Sequence, residues 1–161
     1  MPSIINNDDE VSRYVEWPKD YLDKGIGCLD IGLNLYFRTE KKYSESVNCS
    51  RFLSDPINDN HKLGLEKLKK AKEKYPNKSK SEYRGFVSAK VANIRDAAIE
   101  GVTVDVIHTP VIEENNVINP AHCDIQLSFS NMDEIRSQRQ NASAILSSKF
   151  GPLQEYTGMV D

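Results

Sequence analysis

The chain lacks any pair of cysteines spaced for metal or redox chemistry. Its three, Cys28, Cys49 and Cys123, are odd in number, far apart and form no CxxC pair, so a structural zinc site has no support. Histidines are equally scarce: His61, His108 and His122 are the full set. GxSxG, HExxH and glycine-rich phosphate loops of the Walker or dinucleotide type are missing, which removes the best-marked hydrolase, metalloprotease and nucleotide-binding classes. No apolar run approaches the roughly 18 residues of a transmembrane helix, so no membrane partner is expected. The start, Met1-Pro-Ser-Ile-Ile-Asn-Asn-Asp-Asp-Glu10, is acidic and has no signal-peptide pattern. A cytoplasmic location with reduced thiols is therefore expected.

What is present is an ordinary globular composition. The 161 residues are 39% hydrophobic and 28% charged, with a net charge of −3, a length and balance that suit one domain able to bury its own core. We read residues 1–161 as a single α+β domain with an N-terminal extension at 1–27 and a lysine-rich helix and loop at 55–84. The expected architecture is a small antiparallel or mixed sheet carrying a β-hairpin at about 102–129. Three to four helices would form a single layer on that sheet.

The hairpin carries the strongest pattern. Alternate side chains of a strand share a face, which groups Val102, Val104 and Val106 on one strand, and Cys123, Ile125, Leu127 and Phe129 on the other. The polar centre of the connection is Glu113 to Asn116. Folding symmetrically about it sets Val104 opposite Ile125 and Val102 opposite Leu127, so the apolar sets coincide. Pro110 and Pro120 interrupt the ladder near the turn, and a looser loop is expected there. On the other face this register sets Asp124 opposite Asp105, with His122 close by. Two like charges opposed on a sheet call for a positive group or ligand between them. His122, Asp124 and Asp105 are thus the candidate catalytic residues, a general base or metal-ligand set; a solvated outer face is the plainer reading. His108 and His122 point to opposite faces in this register, so no metal site is assigned.

Elsewhere, Tyr14, Trp17 and Tyr21 are spaced three and four apart, and a short helix is expected from about Pro18 to Lys24. These aromatics read as core anchors or a partner-binding surface. Leu33 to Thr39 and Ser46 to Leu53 read as strands, and Asp55 to Asn60 as turn chemistry. His61 to Tyr75 reads as a helix with a stripe of Leu65, Leu68, Ala71 and Tyr75, ended by Pro76. From His61 to Arg84 nine Lys/Arg face three Glu, a charge of +6 that leaves −9 for the rest. Lysine without interleaved arginine or aromatics is a slight nucleic-acid signal, so the segment 62–84 reads first as a solvated face. Arg84 to Ala89 reads as a strand, Ser88 as the cap of a helix through Glu100, and Gly101 as its stop. Together with the next strand these resemble a βαβ unit. A last helix, Met132 to Phe150, is capped by Asn131 or Ser130 and stopped by Gly151-Pro152, with a short tail beyond.

Three pieces together resemble a group of small uncharacterised bacterial proteins. They are Leu35-Tyr-Phe-Arg38, Asn48-Cys-Ser-Arg-Phe52, and Val106-Ile-His-Thr-Pro110 followed by Asn119-Pro-Ala-His-Cys-Asp-Ile125. The Asn-Pro-Ala-His-x-x-Ile element is the most specific. The resemblance implies positions rather than a reaction: Arg38, Ser50 and His122. Arg38 and Arg51, at strand ends, suit the anchoring of a phosphate or carboxylate, and Arg38, Ser50 and Arg51 form the candidate ligand-binding set.

Two functions follow as expectations. The first is a cytosolic bacterial accessory protein that acts through a protein partner at Tyr14, Trp17 and Tyr21, with no cofactor. The second is an enzyme on a nucleotide or other phosphate-bearing ligand, with His122 as acid/base oriented by Asp124 or Asp105. Nucleic-acid binding by the lysine-rich segment is a further alternative.

Overall fold

A computed structural model describes residues 4–17, 38–41, 44–51, 56–113 and 116–158. The fold is α+β. Strands β1 (Glu10–Trp17), β2 (Arg38–Lys41) and β3 (Ser44–Arg51) precede helix α1 (Pro56–Lys74). A 3-10 turn at Pro76–Lys78 leads to β4 (Glu82–Lys90), the short helix α2 (Val91–Arg95) and β5 (Val102–His108). Then come β6 (Val111–Glu113), β7 (Asn116–Asn119), β8 (His122–Phe129), helix α3 (Met132–Ser147) and β9 (Gln154–Glu155). Seven strands form one antiparallel sheet in the order β5-β8-β3-β1-β4-β9, with β2 also on β3, while β6 and β7 form a separate ribbon. No helix among the described residues is long and apolar enough to cross a membrane.

Alternation along the strands gives the sheet two different faces. Val11, Val15, Cys49, Val87, Ala89, Val106, Cys123, Ile125 and Leu127 share one buried cluster with Val91 and Ile94 of α2 and Ile135, Ala142 and Leu146 of α3. Each fully buried aliphatic chain of this kind contributes about 1.5–3 kcal/mol. The α3 helix starts where expected, Asn131 accepting a hydrogen bond from the Glu134 amide at 2.9 Å. On the opposite face α1 adds a second helical layer over β4 and β1. His61 of α1 stacks edge-on against Phe86 and Tyr83, and Tyr14 meets Tyr83 the same way.

Several local expectations are corrected. Residues 56–60 are the first turn of α1 rather than a turn of their own, because Pro56 suits the first helical position. The buried side of α1 is Asn60, His61, Gly64 and Leu68, while Tyr75 is exposed; the stripe is rotated toward Tyr83. Ser88 caps nothing. It lies inside β4, 3.1 Å from the Ser12 hydroxyl, and α2 stops at Arg95. Ala97 and Ile99 then enter the core at strand-like spacing. Gly101 does take a positive φ of 74°, but in the turn that closes Ile99 onto Val102. Strands β4 and β5 run in the same direction yet have β1, β3 and β8 between them, so they do not form an adjacent βαβ pair. The tail is not free: β9 pairs with Gly85 and Phe86 of β4. Gly85, with φ of 143°, is required there because the Gln154 carbonyl lies where a Cβ would be. The expected helix at Pro18 to Lys24, Tyr21, Cys28 and the strand residues 33–37 lie outside the described residues.

On both sides of residues 114–115, which lie outside the described residues, the connection of the hairpin pairs as an antiparallel ribbon where a looser loop was expected. Glu113 pairs with Asn116 and Ile112 with Val117, which is the symmetric fold about the polar centre. An irregularity at Val111/Ile112, followed by the prolines, then adds two residues on the second strand. In the main ladder Val104 consequently faces Leu127, and Val106 faces Ile125. A shift by two keeps every side chain on its expected face.

Candidate functional site

The two-residue shift rebuilds the polar face of the hairpin. Asp105 now stands opposite Gln126, and Asp124 opposite Ile107. The two aspartates are not opposed, which corrects the expected Asp105–Asp124 pair. Asp105 instead bonds Arg95 Nε at 2.8 Å. Arg95 also reaches the Asn7 side chain and the Ile5 carbonyl, both at 2.8 Å, and the Val106 carbonyl at 3.1 Å. Asp105 thus belongs to a structural anchor that ties the N-terminal segment to β5.

His122 gains a different neighbour, Thr109, at the neck where the prolines bend the chain out of the sheet. The Thr109 amide donates to the His122 carbonyl at 3.0 Å, continuing the ladder by one step. The Thr109 hydroxyl donates to Asp124 Oδ2 at 3.1 Å. His122 Nδ1 lies 2.8 Å from the Thr109 carbonyl and 3.0 Å from its hydroxyl oxygen. A carbonyl only accepts, and the hydroxyl has given its hydrogen to Asp124. Nδ1 must therefore carry the proton, and the neutral ring keeps its lone pair on Nε2. His122 is half-buried, as is Asp124. Asp124 Oδ1 is enclosed without a hydrogen-bond partner, a position for an acceptor that a water or ligand donor would complete. This Thr109–His122–Asp124 relay is what the arrangement offers chemically: one oriented ring nitrogen able to take or give a proton.

His108 does not join it. Its Nε2 donates to the Pro120 carbonyl at 2.6 Å. Among the described residues no three His, Cys, Asp or Glu are placed to hold a metal ion.

The remaining candidates are placed by register. Ser50 is the direct ladder partner of His122, and Arg51 follows it at the end of β3. Arg38 pairs with Ser46, four positions along β3 from Ser50, a separation of about 13 Å at strand rise. The structure thus brings Ser50 to His122 and sets Arg38 at another level. Ser12 continues the line, pairing with Ser50 on one side and Ser88 on the other. This row of ladder positions, Thr109–His122–Ser50–Ser12–Ser88, starts one residue past the end of β5 and crosses β8, β3, β1 and β4. Sequence reasoning missed it because its members come from distant segments. Tyr14 lies under α1, with the Lys67 ammonium 5.5 Å from its ring centre. Trp17 is 40% exposed, with the Arg84 guanidinium 5.6 Å from its ring.

A concavity lies beside α1, away from His122. Leu65, Leu68, Tyr83 and Tyr156 line a shallow cleft of about 670 Å³, with Lys69, Lys72, Glu73 and Glu82 also lining it. Behind it, His61 Nδ1 and the Tyr83 hydroxyl are 2.8 Å apart and buried. Burial lowers the His61 pKa from its ordinary value and raises that of Tyr83, the latter helped by Tyr14 and Tyr156. The pair therefore stays neutral, joined by one hydrogen bond between ring nitrogen and phenol. Sequence reasoning missed this pair too; the one signal was a histidine in phase with Leu65 and Leu68.

No protein-family model, curated protein or solved structure matches the chain.

Proposed function

We propose that the chain binds and acts on a small phosphate-bearing ligand at the neck of the β5–β8 hairpin, with His122 as its acid/base. One observation carries this reading: the Thr109 carbonyl and hydroxyl together fix the proton on Nδ1, which leaves Nε2 as the basic nitrogen. Asp124 orients the Thr109 hydroxyl and, through it, the ring. Ser50 is the ladder partner of His122 and shares its face of the sheet, whereas alternation gives Arg51 to the other face. Thermal unfolding of wild type and His122→Ala against nucleotides, NAD and inorganic phosphate tests it. At a hundredfold excess over Kd a ligand adds about 2.7 kcal/mol, several degrees in Tm at this size. A shift in wild type that His122→Ala loses is the expected result. No shift with any member of the panel, in well-folded protein, would remove the reading.

A second reading is favoured by the cleft. Its tyrosine and leucine floor beside lysines suits a protein segment, as in a cytosolic accessory protein that works through a partner. Leu65→Glu would then abolish co-purification of that partner while His122→Ala leaves it intact. Equal recovery of the partner with wild type and Leu65→Glu would count against it.

A further inference from the structure

Cys49 and Cys123 come from strands 74 residues apart and meet as direct partners in the β3–β8 ladder. Neither is in a disulfide; Cys123 is fully buried and Cys49 is 5% exposed. Cys49 Sγ donates to the Cys123 carbonyl at 3.4 Å, and Cys123 Sγ to the Ala121 carbonyl at 3.5 Å. The thiols are also close enough that Cys123 helps raise the Cys49 pKa, after burial, which is the larger cause.

The ladder sets their spacing. The Thr109 amide bonds the His122 carbonyl, so His122 turns its backbone groups toward β5. Its neighbour Cys123 must turn its own toward β3. The Cys49–Cys123 pair is therefore of the hydrogen-bonded kind, with Cα atoms about 5.5 Å apart. That falls inside the span of about 4.4–6.8 Å found for disulfides. The Cβ atoms of such pairs stand about 5 Å apart and must close toward about 4 Å. A bond made here is thus permitted and strained, the condition that makes a disulfide easy to reduce again.

We propose that Cys49 and Cys123 are a reversible thiol–disulfide site, oxidised across the strands by a low-molecular-weight disulfide. One cysteine thiolate attacks the small disulfide, whose S–S bond breaks and releases one small thiolate. The second cysteine thiolate then attacks the protein-side sulfur of the mixed disulfide. The Cys49–Cys123 bond forms and the second small thiolate leaves. Two protein thiols are oxidised, the small disulfide is reduced to two thiols, and the two protons pass to the departing thiolates. In the closed sheet, burial keeps Cys49 protonated and shielded, so exchange proceeds when the β3–β8 ladder opens. The bond lies one ladder step from Ser50 and His122. It would tighten the strands beside the site, a consequence that rests on the His122 reading, whereas the bond itself does not.

The test uses the full chain with Cys28→Ala, so that only this pair remains, incubated with oxidised glutathione with and without mild urea. Intact mass and peptide mapping without reductant read the product. The expected result is a mass lower by two hydrogens and a Cys49–Cys123 linked peptide. It should form faster in mild urea, revert with reductant, and be absent in Cys49→Ala. Glutathione adducts without a cross-link would overturn the proposal, as would two thiols still free after unfolding and refolding in the oxidant. Because mass is the readout, this result is independent of whether any ligand binds at His122.

Discussion

Gly64→Ala is a change whose ordinary and local effects have opposite signs. Gly64 sits inside α1, where alanine normally stabilises a helix by about 0.5–1 kcal/mol. Here the added methyl would run into the Tyr83 ring at Cε1, with Cζ and Cδ1 close behind. The ring cannot retreat. It is buried, its hydroxyl is held by His61, and Tyr14 and Tyr156 pack against it. Overpacking of this kind costs about 1–3 kcal/mol, and loss of the His61 bond adds about 1 kcal/mol. Setting the helix gain against these leaves a net destabilisation of about 1–3 kcal/mol, several degrees in Tm for a domain of this size. Urea unfolding of Gly64→Ala measures it, and the same substitution in a Tyr83→Ala background supplies the control. With the ring gone the alanine should become neutral or stabilising. If Gly64→Ala raises the stability of the wild type, or if its cost persists without Tyr83, the account of α1 docking is wrong.

Three further outcomes are expected. The His61 pKa is lowered by burial, so between the ordinary value of about 6.5 and the folded value the unfolded chain binds the extra proton. Stability should fall as pH drops below that ordinary value and level off once pH passes the folded value. Urea unfolding from pH 7.5 to 5 should show this component in wild type and lack it in His61→Gln. Arg95→Ala should cost about 2–3 kcal/mol by chemical denaturation, because it leaves the Ile5 and Val106 carbonyls and Asp105 without their charged donor. A cost below about 0.5 kcal/mol, the ordinary surface range, would show that the anchor is idle. Asn131→Ala should cost about 1 kcal/mol in the same assay through loss of the α3 cap, and no change would mean that another group meets the Glu134 amide.

The hairpin shows what was legible. Its two faces followed from alternation alone, and alternation survived a register error because the error was two residues. That error arose where sequence says least: the symmetric pairing holds at Glu113 and Asn116, and the extra residues enter at the neck around Pro120. Asp105 was misassigned as a result, since its true partner Arg95 comes from a helix whose end could not be read. Thr109 was invisible as a relay because its role depends on His122 facing it rather than Ile107. The buried His61–Tyr83 pair and the Ser50–Ser12–Ser88 row were hidden for a different reason: both join segments with no local pattern in common. The α+β class, by contrast, followed from local periodicities that packing then confirmed.

The ladder order also bears on how the chain reaches this state. The β5–β8 hairpin with its ribbon is local and can close in about 1–10 μs. The middle of the sheet cannot. Ser12 meets Ser88 across 76 residues and Cys49 meets Cys123 across 74, and such long closures slow folding. In any partly folded chain in which β8 is paired to β5 and β3 has not yet closed on it, β8 keeps one open edge. In that species the Cys123 thiol and an unpaired strand edge face solvent together. The closure of β3 on β8 is thus also the step that shields the chain from oxidation at Cys123 and from edge-to-edge association.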